Sequence, residues 1–457
     1  MRSAKECSPS SAVTKRYPTS CAHPPPRDLR RDADAPHPTT IRRRATARPA
    51  PGTSPAGRSP RHPSAEPTPR FPEASTVAQN VPLSILDLAP VVSGRTAGDA
   101  LRNTVQLARC AEDLGYARYW LAEHHFAPGV ASSAPAVTIA LVASATSTIR
   151  VGSGAVQLGH QTAAAVVEQF GTLAAVFPGR IDLGLGRSGQ RRTEATNGAG
   201  QTRPETEAPP PRARTVNGLL IPPPFSFARL AASPRLRAQA ALLQQPGAHS
   251  PAYTEQVDDI RAFLRGTYRT PDGIDVHAVP GEGADLDVWI LGSSGGESAA
   301  VAGSRGLPFA ANYHVSPATV LEAVASYRAQ FQPSAHAPRP YVMVSADVVV
   351  ARDDETAREL ASPYALWVRS IRSGQGAIPF PTPKEAADHT WTDDDRALVA
   401  DRLDTQFVGT PDTVTERLRT LQRATDADEL LVTTITHDHD DRVRSFELLA
   451  DAWRSSS

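Results

Sequence analysis

Two rhythms of apolar residues alternate along most of the chain. Residues 81–88, Val-Pro-Leu-Ser-Ile-Leu-Asp-Leu, form a short and nearly continuous apolar run of the kind a buried strand carries. The stretch 97–116 then places Leu101, Val105, Ala108 and Ala111 at helical spacing and stops at Gly115. The pair of signals recurs. Further strands are predicted at 117–123, 149–158, 181–186, 286–291, 307–312, 341–350 and 429–436. Helices are predicted near 135–147, 162–176, 253–266, 296–305, 317–331, 354–372, 393–404, 412–424 and 441–454.

Strands that alternate with helices imply parallel βαβ units. Eight of them over roughly 375 residues predict an α/β fold, a (β/α)8 TIM barrel with insertions. A doubly wound sheet is the competing arrangement, and the count of eight argues against it. Two stretches break the alternation. Residues 190–250 carry Pro209-Pro210-Pro211 and Pro222-Pro223-Pro224 with little periodicity. They follow the fourth strand, on the face where barrels place active sites, a position that suits a mobile lid. Residues 373–411 precede the last helix–strand pair, and their end, Gly409-Thr410-Pro411-Asp412, is a helix start with Thr as cap and Pro at the first position.

Residues 1–80 differ in kind. They hold 15 of the chain's 42 prolines and few large apolar residues, so they are expected to form a disordered, dispensable leader. Arg42-Arg43-Arg44 resembles part of an export signal, but no apolar segment follows it. Formal charge over the whole chain is zero, yet the leader has 14 basic and 6 acidic side chains and the remainder 34 and 42. An acidic folded part argues against nucleic acid as a partner. Cys7, Cys21 and Cys110 leave one thiol in the folded part, too few for a disulfide framework. No apolar run reaches the length of about 18 residues that spans a bilayer. A cytoplasmic protein is expected.

In a barrel, polar residues at strand C-terminal ends are the candidates for chemistry. The second strand ends in Glu123-His124-His125-Phe126. Neighbouring side chains leaving a strand point to opposite sides, which argues against His124 and His125 as a metal-chelating pair and turns His125 away from the centre. Residues 184–189 spell G-x-G-x-x-G, but no helix follows to receive a pyrophosphate. These glycines are expected to keep the strand slim beside a ring system, with Arg187 reaching an anion. Gly292-Ser293-Ser294-Gly295-Gly296-Glu297 runs straight into a helix. It reads either as a serine-capped turn or as a cradle for one phosphate, and Arg187 favours the cradle. His437-Asp438-His439-Asp440-Asp441 has metal-ligand chemistry, but acids opening the last helix explain it more simply. G-x-S-x-G, H-E-x-x-H and P-loop motifs are lacking, and so is a nicotinamide fingerprint.

Taken in order, Glu123-His124-His125-Phe126, Ile149-Arg150-Val151-Gly152-Ser153-Gly154, Glu168-Gln169-Phe170-Gly171-Thr172-Leu173, the run from Phe177 to Arg187, and Trp289-Ile290-Leu291-Gly292-Ser293-Ser294 resemble the bacterial luciferase-like monooxygenase family over roughly residues 82–450. That resemblance implies a barrel binding FMN, or in some branches the deazaflavin F420, at the strand C-terminal ends. It implies Glu123 as a flavin-contacting acid and His124 as the catalytic base or acid. It implies Gly154 and Ala155 beside the isoalloxazine, and Arg187, Ser293, Ser294 and Gly295 at the phosphate. Gly186 stands where luciferase has a reactive cysteine, so light emission from an aldehyde is not implied. The implied reaction is monooxygenation of a small organic substrate: FMN reduced by a separate flavin reductase meets O2 and forms a C4a-hydroperoxide. A homodimer is implied as well. Two other readings share the barrel, an F420-dependent hydride transfer and a non-catalytic flavin-binding partner subunit. Retention of Glu123, His124 and Arg187 together argues against the second.

Overall fold

The apolar runs close into a ring. A computed structural model describes residues 80–187, 212–226 and 233–456, so the leader and residues 188–211 and 227–232 of the 190–250 stretch lie outside the described residues. Eight parallel strands make the barrel: β1 (Leu83–Asp87), β2 (Arg118–Leu121), β3 (Arg150–Ser153), β4 (Ile181–Gly186), β5 (Leu286–Gly292), β6 (Phe309–Asn312), β7 (Val342–Val350) and β8 (Glu429–Thr433). Each pairs with the next in sequence, and β8 returns to β1 with Leu83 opposite Leu430, so the expected barrel is the one observed. Helices cover the outside. All strands point the same way, which gathers their C-terminal ends on one face.

Several elements differ from expectation in instructive ways. The third strand ends at Ser153, and only Val156–Gln157 resumes pairing with β4, because the cis peptide Gly154–Ala155 turns the chain between them. Pro363 divides the 354–372 helix into Asp354–Ala361 and Tyr364–Arg372, since proline lacks the N–H that a continuous helix needs. The 190–250 stretch is not without structure: Arg214–Val216 and Leu219–Ile221 form a hairpin about Asn217-Gly218, both with positive φ as a type I′ turn requires. Leu220 O accepts from the Tyr313 hydroxyl at 2.8 Å, tying that hairpin to the barrel. Thr410 caps the helix Pro411–Thr425 as expected, and Asp438 caps the helix His439–Ser455, accepting the Asp440 N–H at 2.8 Å. Among the described residues no helix is long and apolar enough to cross a membrane.

The floor of the barrel is charged. Arg118, Arg150, Asp182, Asp287 and Glu429 lie near the N-terminal ends of five strands. Asp182 is fully buried and takes Arg118 Nη1 at 2.8 Å, Arg150 Nη2 at 2.6 Å and the indole N–H of Trp120 at 2.9 Å. Arg118 reaches on to Glu429 at 3.1 Å, and Arg150 to Asp287 at 2.6 Å. Burial alone would raise the Asp182 pKa, but the two guanidiniums outweigh it and hold the carboxyl below its usual range.

Removing one member of such a network strands its partners, which typically costs about 3–5 kcal/mol. Asp182→Asn is therefore expected to lose stability on that scale in urea unfolding. Asp182 has a depressed folded pKa, so its contribution is complete above the unfolded value of about 3.9 and is lost as pH falls through the folded one. The variant's unfolding free energy should accordingly fall less steeply than wild type below about pH 4; parallel curves would refute the assignment.

Candidate active site

The strand C-terminal ends surround a cavity of about 460 Å3. It is reached by residues from both regular strands and the turns that follow them, which is where a rigid barrel can hold functional side chains in register. Seven of the eight residues singled out from sequence line it: Glu123, His124, Gly154, Ala155, Arg187, Ser293 and Ser294. Gly295 stands just behind, its carbonyl accepting from the Ser326 hydroxyl at 2.7 Å.

Glu123 is buried, yet ionised by arrangement. Its Oε1 lies 2.7 Å from His125 Nε2 and 2.8 Å from His160 Nε2, and its Oε2 accepts the Gln157 N–H at 2.9 Å. Burial pushes the carboxyl up; the two rings and the amide pull it down further, leaving it below the ordinary glutamate range. The ring nitrogens and the carboxylate oxygen lie within 4.8 Å of one another, a spacing that could admit a metal, and hydrogen bonds to a single oxygen account for it. β2 ends at Leu121, so alternation does not govern the two histidines strictly, but they do part. His124 lines the cavity, whereas His125 turns to Glu123 rather than simply away.

On the β4 and β5 side, Arg187 Nη2 meets Glu297 Oε2 at 2.6 Å, and its guanidinium lies 5.9 Å from the Tyr253 ring. Glu297 opens the helix Glu297–Ser304, which has Gly296 as its cap and no side chain satisfying the first amides. Those amides, Ser293, Ser294 and Arg187 make a donor set that fits one phosphate. The glycines of β4 divide the work expected of them. A Cβ on Gly184 would stand 2.1 Å from Ser153 O, so that glycine serves strand packing, while Gly186 lines the cavity.

Further residues line the cavity from β6, β7 and beyond, and the sequence reading missed them. His314 accepts or donates at Nδ1 to Ser345 Oγ, 2.7 Å away. Burial, then the neighbouring charges of Arg402 and His124, pull its pKa down to about 3, so the ring is neutral at pH 7. Asp347 is buried on β7; burial raises its pKa against the opposing pull of Arg402 and Tyr364. Arg402 Nη2 contacts Asp347 Oδ2 at 3.2 Å and the Tyr364 hydroxyl, which also donates to Asp347. Ser345 and Asp347, polar at alternate positions in an otherwise apolar β7, were the available signal. Arg402 gave none, because it lies on a highly charged helix, Asp393–Thr405.

A closed parallel barrel with a polar cavity at the strand C-terminal ends is the architecture of a barrel enzyme. A family model described as luciferase-like monooxygenase matches residues 81–217 and 253–428, and the chain belongs to that family of oxidoreductases. It is 38% identical over 376 residues to the uncharacterized protein YvbT of Bacillus subtilis (strain 168), covering 82% of this chain and 97% of that one. It is 34% identical over 381 residues to a luciferase-like monooxygenase of Escherichia coli (strain K12), with 82% and 97% covered. Among solved structures, apo-MsnO8 superposes with a TM-score of 0.65 at 30% identity, covering 82% of this chain and 98% of that one. Two more distant structures share the fold: the oxygenating constituent of 3,6-diketocamphane monooxygenase in complex with FMN (TM-score 0.53, 18% identity, 82% and 99% covered) and an F420-dependent secondary alcohol dehydrogenase (0.52, 14%, 82% and 100%).

The Glu123 network yields a direct expectation. His125→Ala removes one of the two ring donors from a buried carboxylate, which costs about 1–3 kcal/mol for a group left undersatisfied. Urea unfolding at pH 7 measures it; a change below a few tenths of that would mean the ring contributes nothing to holding Glu123.

Proposed function

We propose that this protein is a flavin-dependent monooxygenase that uses reduced FMN and O2 to oxygenate a small organic substrate. The observation that carries the reading is the convergence on one cavity of Glu123 and His124, the Gly154–Ala155 turn, and the Arg187, Ser293 and Ser294 donor set. Gly154 and Ala155 offer a wall without bulky side chains, suited to a flat ring. Arg187 and the uncapped amides at Glu297 suit a single phosphate, which favours FMN over FAD. Reduced flavin, when bound, would supply the electrons and the activation of O2. His124 would take up or deliver a proton at the reacting centre, while Glu123 and the rings of His125 and His160 hold the wall beside it in place. The apolar lining, Leu86 and Leu291 among it, would exclude water. The family resemblance supports a separate flavin reductase as electron donor and a homodimeric state. Thiol scarcity in the folded part supports a cytoplasmic setting.

His124→Ala tests the proton role. With chemically reduced FMN, incorporation of labelled oxygen from O2 into a panel of small organic compounds should fall by about 10²–10⁴-fold, the range for losing a general acid or base, with FMN affinity unchanged. Turnover equal to wild type would remove His124 from the mechanism. Reduction of substrate by reduced F420 without O2 would replace the reading altogether.

Arg187→Ala tests the phosphate. It should weaken FMN by about 1.5–3 kcal/mol, the value of a charge-assisted bond, and leave riboflavin binding nearly unchanged. Equal losses for the two flavins in fluorescence titration would place the phosphate elsewhere.

A further inference from the structure

β7 stands four places round the eight-membered ring from β3, so Asp347 lies across the barrel from the turn at Gly154 and Ala155. If the flavin ring occupies the Gly154 wall, as the reading above has it, the substrate meets the β7 wall. That wall has an unusual donor balance. Arg402 and Trp367 both line the cavity and are each more than nine-tenths buried. Arg402 Nε and Trp367 Nε1 meet no acceptor, and both groups can only donate. Buried donors are normally satisfied, so two orphans side by side in a cavity wall call for an acceptor brought from outside.

The charges point the same way. His124, His314 and Arg402 stand close enough to repel one another, as the effect of the other two on His314 shows. Asp347 faces them as their carboxylate, and its Oδ2 is already taken by Arg402 and the Tyr364 hydroxyl. Apolar groups, Leu291, Ile371 and Ile435, complete the surroundings. A cavity with donors at one place and aliphatic walls around it selects a molecule with an anionic head and an apolar body.

We propose that the β7 wall is a carboxylate subsite, with Arg402 and Trp367 as its donors, and that the substrate is a small apolar carboxylic acid. The substrate's carboxylate anchors it there and leaves its apolar body to extend across the cavity toward the Gly154 wall. No bond changes at this subsite; Arg402 and Trp367 position the substrate.

Hexanoate and its neutral isostere hexanamide are the probes, with binding followed by tryptophan fluorescence and calorimetry on the full chain, with and without oxidised FMN. Wild type should bind hexanoate at least tenfold more tightly than hexanamide. Arg402→Gln should reduce that preference to within twofold while FMN affinity stays unchanged. Because Arg402→Gln bares Asp347, the double variant Asp347→Asn with Arg402→Gln restores neutrality, and it should lose the preference equally. Equal binding of the two probes by wild type overturns the subsite, as does a preference that survives in both variants. A hexanoate preference in a chain that binds no FMN would uphold the subsite and refute the flavin reading instead, so the two fail separately.

Discussion

Asp182 holds two arginines and an indole at the bottom of the barrel, and much of the structure is arranged around that one carboxylate. A ring of eight strands has an interior that side chains must fill. Here the lowest layer is ionic rather than aliphatic. Arg118 and Arg150 each bridge two acids, so five strands are tied together through Asp182, Asp287 and Glu429. Such pairs add little net stability over a well-packed apolar layer, because burying the ions is costly. What they add is register. An arginine fork satisfied by two carboxylates on different strands tolerates no slip of either strand.

That layer supports the site directly. Trp120 donates to Asp182 from above and meets Trp289 edge-on at 5.1 Å, while the Arg118 guanidinium lies 4.9 Å from the Trp289 ring. Trp289 in turn packs edge-on against Tyr341, whose hydroxyl donates to Glu429 at 2.9 Å. Gly154 rests against Leu86 and Trp120, so the floor of the cavity is the ceiling of the aromatic layer. Charge, aromatic ring and cavity are stacked in that order, and displacement at the bottom is transmitted upward through close-packed groups.

Within the cavity each strong charge has a counter-charge from a different part of the chain. Glu123 is met by two rings, Arg187 by Glu297 and Arg402 by Asp347. The pairs hold long side chains still before any ligand arrives, which lowers the ordering cost of binding. They also set the local balance of charge. Arg187 and the helix amides lie on one side of the ring and the His314, Asp347 and Arg402 group on another, so the cavity can distinguish two ends of what it holds.

The sequence by itself determined the barrel, because eight apolar runs separated by helical spacings are local patterns with few closed solutions. It also determined most of the site. Glu123, His124, Arg187, Ser293 and Ser294 stand where strands end, and in a parallel barrel all such ends share one face. The turn at Asn217-Gly218 was legible too, and the prolines around it obscured it. Tertiary structure alone decided the rest. Nothing local pairs His160 with Glu123 across 37 positions, or Arg402 with Asp347 across 55. An arginine on a charged helix reads as a solvated surface group until the helix is laid across the barrel mouth. Periodicity reports which face of an element is buried, but a buried charge is placed by its partner, and the partner is found only when the chain has closed.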